Sequence, residues 1–201
     1  MTAPLILAFD TAAAHCAAAL LCGDEILASR HQEMAKGQAE RLLALVQELL
    51  TETGNSMTQL DAIGVGVGPG NFTGIRISVS AARGLALGLG IPSVGVNAFD
   101  ALRLGADGPC FCTVDARRDM VFVQGFETAE LQSPTLCHRD EVPAQAVQIG
   151  ALGRAPTYPV AEAIARITAT RFLHTTSAPA PLYLRPADAA PARDAPPQIV
   201  P

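Results

Sequence analysis

The sequence predicts an α/β protein made of two lobes, each a mixed sheet with flanking helices, the second lobe reduced in size. Three observations carry this. A first apolar strand ends in Asp10-Thr11 and is followed by an early hairpin before any helix. A turn rich in Gly and Pro, residues 68–74, joins a buried strand to a long helical pattern. A second apolar hairpin, ending its first strand in Asp115, repeats the opening after a cluster of turn residues at 105–109.

Taken in order, residues 5–9 are apolar and read as a buried strand, and 16–22 and 25–31 as two more, with Cys22-Gly23-Asp24 as the turn between them. Leu42, Leu45, Val46, Leu49 and Leu50 recur at helical spacing between Gly37 and Gly54, which predicts an amphipathic helix over 38–53 with a glycine stop. Leu43 widens its apolar face. Residues 62–67 are short, apolar and β-branched, hence a strand, and 75–89 have helical length and spacing, with the small residues Ser80, Ala81, Ala82, Gly84, Ala86 and Gly88 permitting close packing. A strand at 93–96 and a short helix at 98–104 follow. Beyond the boundary at 105–109, strands are expected at 111–114, 120–126 and 147–152, and a helix over 158–172 with Val160, Ile164 and Ile167 on one stripe. The divisions are 1–104, 105–186 and an Ala/Pro-rich tail, 187–201, for which the composition predicts no firm structure. The β-β-β-α-β-α-β order departs from Rossmann alternation and suits the ribonuclease-H-like lobe of the actin-like ATPase (ASKHA) fold, shared by actin, sugar kinases and Hsp70. Such a fold does not specify a function.

Composition narrows the function classes. The chain has 201 residues, is 49% hydrophobic and carries a formal net charge of −5. That is ample for a core and argues against a freestanding nucleic-acid binder, which needs a basic surface. No segment approaches the ~20 apolar residues of a membrane span, and the first residues lack a signal-peptide pattern, so a cytoplasmic location is expected. Cys16, Cys22, Cys110, Cys112 and Cys137 are odd in number and lie mostly in apolar runs, which suits buried thiols in a reducing compartment. They form no C-x-x-C pair, and His15, His31, His138 and His174 are scattered, so no metal site is expected and the histidines read as solvated or core residues.

The loop Gly68-Pro69-Gly70-Asn71-Phe72-Thr73-Gly74 admits two readings. Glycines let another group approach the main chain, and the free N–H groups of a helix start favour an anion, so phosphate is one candidate. Tight strand-to-helix packing is the other. A P-loop is excluded because Ile75-Arg76 stands where Lys-Ser/Thr is required, and a dinucleotide fingerprint fails on glycine spacing. Asp10 and Asp115, at corresponding strand ends, could orient phosphate and magnesium or cap their own turns. Arg76 faces either an anion or a local salt-bridge partner, at a helix start where its charge opposes the dipole. Arg117 and Arg118 make a small basic spot.

Together, 6–12, the loop 68–77 with Gly84-Leu85-Ala86, Val114-Asp115-Ala116-Arg117 and Tyr183-Leu184-Arg185 resemble the bacterial TsaB (YeaZ) family in order and spacing over nearly the whole chain. The resemblance implies a non-catalytic role in the threonylcarbamoyl modification of adenosine beside the anticodon in tRNAs that read codons beginning with A. It implies a TsaD-like transferase and a TsaE-like ATPase as partners, and a homodimer when the chain is alone. tRNA would be met only through the complex, with no cofactor of its own and ATP or ADP at the boundary with partners. The implied nucleotide or partner-boundary residues are Asp10, Thr11, Gly68, Pro69, Gly70, Asn71, Phe72, Thr73, Gly74, Arg76, Asp115 and Arg117. The first helix, through Leu42, Leu45, Val46 and Leu49, is the implied partner interface. The chain departs from the family pattern at Gln38, where many members have His, at Ala44, where Pro is common, and at Asn71, where Ser is usual. Two rivals remain: an autonomous actin-fold phosphotransferase, motivated by the paired aspartates, and a peptidase, for which no nucleophile-base set is legible.

Overall fold

The computed structural model describes residues 3–184. Arg185 and the expected tail, 187–201, lie outside the described residues. The first sheet contains β1 (Leu5–Asp10), β2 (His15–Cys22), β3 (Glu25–Glu33), β4 (Ala62–Gly66) and β5 (Ser93–Val96) in the order β3-β2-β1-β4-β5. Strands β1, β4 and β5 are parallel, and the β1-β2-β3 meander is antiparallel. The second sheet repeats the plan on a smaller scale with β6 (Cys110–Asp115), β7 (Met120–Phe126), β8 (Thr135–His138) and β9 (Val147–Gly150) in the order β8-β7-β6-β9, β6 and β9 being parallel. This is the expected two-lobed actin-like, ribonuclease-H-like fold.

The central strand β1 is apolar at every position before Asp10 because both faces of the sheet are covered. Leu5, Leu7 and Phe9 meet α1 (Gln38–Glu52) and α2 (Phe72–Leu89) on one face. Ile6 and Ala8, one residue out of phase, point to the opposite face and pack with Ala163, Ile164, Ala165 and Ile167 of α4 (Val160–Arg171). That corrects the expectation that this helix belongs with the second sheet: α4 lies on the first. Its counterpart is α3 (Ala98–Arg103), whose Phe99 is buried with Cys110, Cys112, Phe122 and Ile149 of the second sheet. Helix α3, which follows the first sheet in the chain, thus packs with the second, and α4, which follows the second sheet, packs on the first.

Two smaller differences bear on the site. Helix α2 starts at Phe72, three residues before the expected start, because the Asn71 side chain caps it by accepting the Gly74 N–H at 2.9 Å. Strand β8 is four residues long and half polar, too short and mixed for its sequence to predict a strand.

Candidate functional site

The ends of β1, β4, β5 and β6 open onto one cleft of about 250 Å³. Its walls are mainly apolar, with Val96, Ala101, Leu102, Val114, Val160 and Ile164 among them, and it is also lined by Asp10, His15 and Asp115. Gly68 and Pro69 line it as well. The strand-end aspartates of the two sheets therefore do meet at one cavity, but they differ in environment. Asp115 is exposed, whereas Asp10 is buried. One carboxylate oxygen of Asp10 accepts the Ala12 N–H at 2.9 Å and the His15 Nε2–H at 2.7 Å. Its other oxygen lies where a side chain on Gly66 would be, a Cβ there falling 1.8 Å from it, so Gly66 is needed for the carboxylate to fit. The local cap that one reading of Asp10 anticipated is present, joined by a histidine.

The sequence alone predicts His15 as a solvated or core residue, with no place in the site, whereas its ring lines the cleft beside Asp10. Its ring also lies 4.7 Å from that of His31, which pairs with Glu33. The available signal was the tightness of the β1-β2 hairpin, in which Asp10 pairs with Ala17, so a residue at 15 must return beside the end of β1.

The glycine loop places backbone against backbone of the same chain. A Cβ on Gly74 would lie 1.9 Å from the Thr11 carbonyl oxygen, and one on Gly70 would lie 2.3 Å from that of Ala12. The Asn71 N–H donates to the Ala12 carbonyl at 2.6 Å, and the buried Thr11 hydroxyl donates to the Gly74 carbonyl at 2.7 Å. Gly68 has φ +89°, a left-handed conformation that favours glycine. Of the two readings of this loop, close packing against residues 11–12 is what these contacts perform.

Phe72 and Thr73 begin α2 and are exposed, and so is Arg76 one turn on. The Arg76 guanidinium lies 3.6 Å from the centre of the Phe72 ring, and its Nε–H donates to the Tyr183 hydroxyl at 2.9 Å. The salt-bridge alternative for Arg76 is thereby replaced by an aromatic one. Arg117 is exposed in the β6-β7 turn, where Arg117, Arg118 and Asp119 all have φ between 53° and 62°.

A family model described as TsaD, tRNA N6-adenosine threonylcarbamoyltransferase, matches residues 25–183. The chain is 40% identical over 101 residues to the Escherichia coli (strain K12) tRNA threonylcarbamoyladenosine biosynthesis protein TsaB, a match covering 50% of this chain and 43% of that one. The Haemophilus influenzae protein of the same name is 34% identical over 102 residues, covering 50% and 42%. A solved structure of YeaZ from Pseudomonas aeruginosa superposes with a TM-score of 0.69 at 25% identity, covering 90% of this chain and all of that one. The chain belongs to the TsaB/YeaZ family. A second Pseudomonas aeruginosa structure, of a protein with similarity to peptidase YEAZ, gives a TM-score of 0.71 at 26% identity with the same coverage. The matched region spans under half the length of the curated TsaB relatives from Escherichia coli and Haemophilus influenzae.

For a TsaB-family chain the expected pairing helix is α1, and here the structure corrects the residues assigned to it. Leu42, Leu45, Val46 and Leu49 are at most 1% exposed and pack into the first sheet's core. Strands β2 and β3 and the neighbouring α2 pack against this helix and cover them. The outward side of α1 presents Ala39, Glu40, Leu43 and Ala44 instead, with Leu43 half exposed. Among the described residues no group of three or more metal-ligating side chains occurs, and no helix is long and apolar enough to cross a membrane.

Proposed function

We propose that this chain is a non-catalytic subunit in the threonylcarbamoyl modification of tRNA adenosine, supporting a TsaD-like transferase together with a TsaE-like ATPase. Family membership supports the pathway. The observation that supports a non-catalytic part in it is the inward-turned glycine loop: Gly70 and Gly74 are occupied by the backbone of Thr11 and Ala12, and Asp10 is engaged by Ala12 and His15. The groups that would have to meet a phosphate in a working actin-fold kinase are held by their own chain. Among the described residues the cleft's lining also includes no lysine or arginine. In this reading the chain needs no cofactor of its own, ATP or ADP lies at the boundary with partners, and the chain pairs with itself when alone.

A second reading, an autonomous phosphotransferase, is favoured by Asp10 and Asp115 lining one cleft. One experiment separates the two. Threonylcarbamoylation of substrate tRNA is measured in a mixture of the cognate TsaD-like and TsaE-like proteins and the adenylate-forming enzyme, with and without this chain, alongside nucleotide turnover by the chain alone. Dependence on the chain with no turnover of its own is the expected result. Full modification without the chain, or turnover by it in isolation, overturns the subunit reading.

A further inference from the structure

Phe72, Arg76 and Tyr183 form an exposed cluster that neither the cleft nor the core explains. The two rings lie 5.0 Å apart and are 42% and 43% exposed. Arg76 stacks on Phe72 at 3.6 Å and uses Nε on the Tyr183 hydroxyl. Arg76 is exposed, and its two terminal NH₂ groups have no hydrogen-bond partner among the described residues. Arg41, Arg103 and Arg171 are matched to Glu48, Glu127 and Asp100, while Arg83, Arg117, Arg118, Arg154 and Arg166, like Arg76, have no carboxylate partner among the described residues; what distinguishes Arg76 is its frame of two exposed rings. Among the described residues no carboxylate lies within ion-pair distance of Arg76 in a chain whose net charge is −5.

The cluster is held rather than loose. Phe72 and Arg76 are one turn apart on a capped helix start, and Tyr183 is fixed by the preceding residue, whose N–H donates to the Val67 carbonyl at 2.8 Å. A guanidinium held by stacking and by its Nε loses little further freedom when it binds, and its remaining fork matches a carboxylate with two parallel hydrogen bonds. Arginine, tyrosine and phenylalanine are also the residue types enriched where protein partners bind.

We propose that Phe72, Arg76 and Tyr183 are an anchor that receives an Asp or Glu side chain from the surface of the TsaD-like partner, the rings packing on the apolar stem of that residue. This rests on the subunit reading above. A protein carboxylate is favoured over an RNA phosphate because the acidic chain would repel a polyanion, while a single carboxylate in an aromatic frame needs only the one guanidinium.

The test is calorimetric titration of the full chain with the cognate TsaD-like subunit at low and at high salt. Arg76→Ala is expected to weaken association by roughly 30-fold or more and to lose most of its salt dependence. Arg76→Lys keeps the charge without the fork and should remain at least ~10-fold weaker, while Tyr183→Phe, which removes one hydroxyl, should cost ~3-fold. All three variants should melt with the parent, since the cluster is exposed. Parent-like affinity of Arg76→Ala overturns the anchor alone. So does a loss of affinity that follows a fall in melting temperature, or a loss of tRNA binding with subunit association intact. Failure of the unmodified chain to associate overturns the subunit reading and the anchor with it.

Discussion

Replacing Gly74 and Gly84 by alanine, one at a time, should move stability in opposite directions although both lie in α2. At Gly74 the new Cβ would stand 1.9 Å from the Thr11 carbonyl oxygen and 3.0 Å from its carbon. An ordinary carbon-oxygen contact is ~3.3 Å, so the helix start and the turn after β1 must separate by ~1.4 Å. That breaks the 2.7 Å bond from the Thr11 hydroxyl to the Gly74 carbonyl and strains the 2.6 Å bond from Asn71 to Ala12. Losing one buried hydrogen bond costs about 1–3 kcal/mol and the overpacking about 1–3 kcal/mol, against a gain of at most ~1 kcal/mol in helix propensity. The net is a loss of about 3 kcal/mol, which for a chain of this size lowers the melting temperature by roughly 6–12 °C. Gly84 has no atom within 4 Å of its would-be Cβ, so alanine there should add about 0.5–1 kcal/mol through propensity and a less flexible unfolded chain. Urea unfolding followed by circular dichroism measures both. If Gly74→Ala unfolds within ~0.5 kcal/mol of the parent, the loop does not dock on residues 11–12 as described.

Leu45→Glu should abolish folding, since it removes a fully buried side chain and strands a charge in the core, whereas Leu43→Glu should stay within ~0.5 kcal/mol of the parent in the same assay. Asp10→Ala should lower stability by about 1–3 kcal/mol through the lost contacts to Ala12 and His15, yet leave reconstituted tRNA modification in proportion to the folded fraction; a far larger loss of modification would assign chemistry to Asp10. Burial pushes the Cys16 thiol from 9.0 up to about 11, and it raises Cys112 and Cys137 as well. The folded chain therefore holds these protons more tightly than the unfolded one, so their contribution to stability is intact below about pH 9 and declines as pH rises through about 11. Alkylation at pH near 8 followed by mass spectrometry should label the half-buried Cys22 first and the other four only after unfolding.

The sequence by itself determined most of the elements and their order, the short, half-polar β8 excepted, because the strand and helix periods are local and the turns carry their own chemistry. The strand ending in Asp10, the amphipathic pattern of α1, the glycine loop and the repeated hairpin were all legible, and so was the family. Only the tertiary structure decided which surfaces those elements spend on each other. The apolar stripe of α1 reads the same whether it faces a sheet or a partner, and Leu42, Leu45, Val46 and Leu49 proved to face the sheet. The stripe of α4 does not encode which sheet it covers, and it crosses to the first because β1 has a second apolar face to bury. Glycines at 70 and 74 announce a close approach without naming what approaches, and here it is the chain's own backbone at residues 11–12. His15 beside Asp10 and Tyr183 beside Arg76 are pairs of the same kind, five and 107 residues apart in sequence. Periodicity reports which face of an element is apolar, and only the packed fold fixes what lies against it.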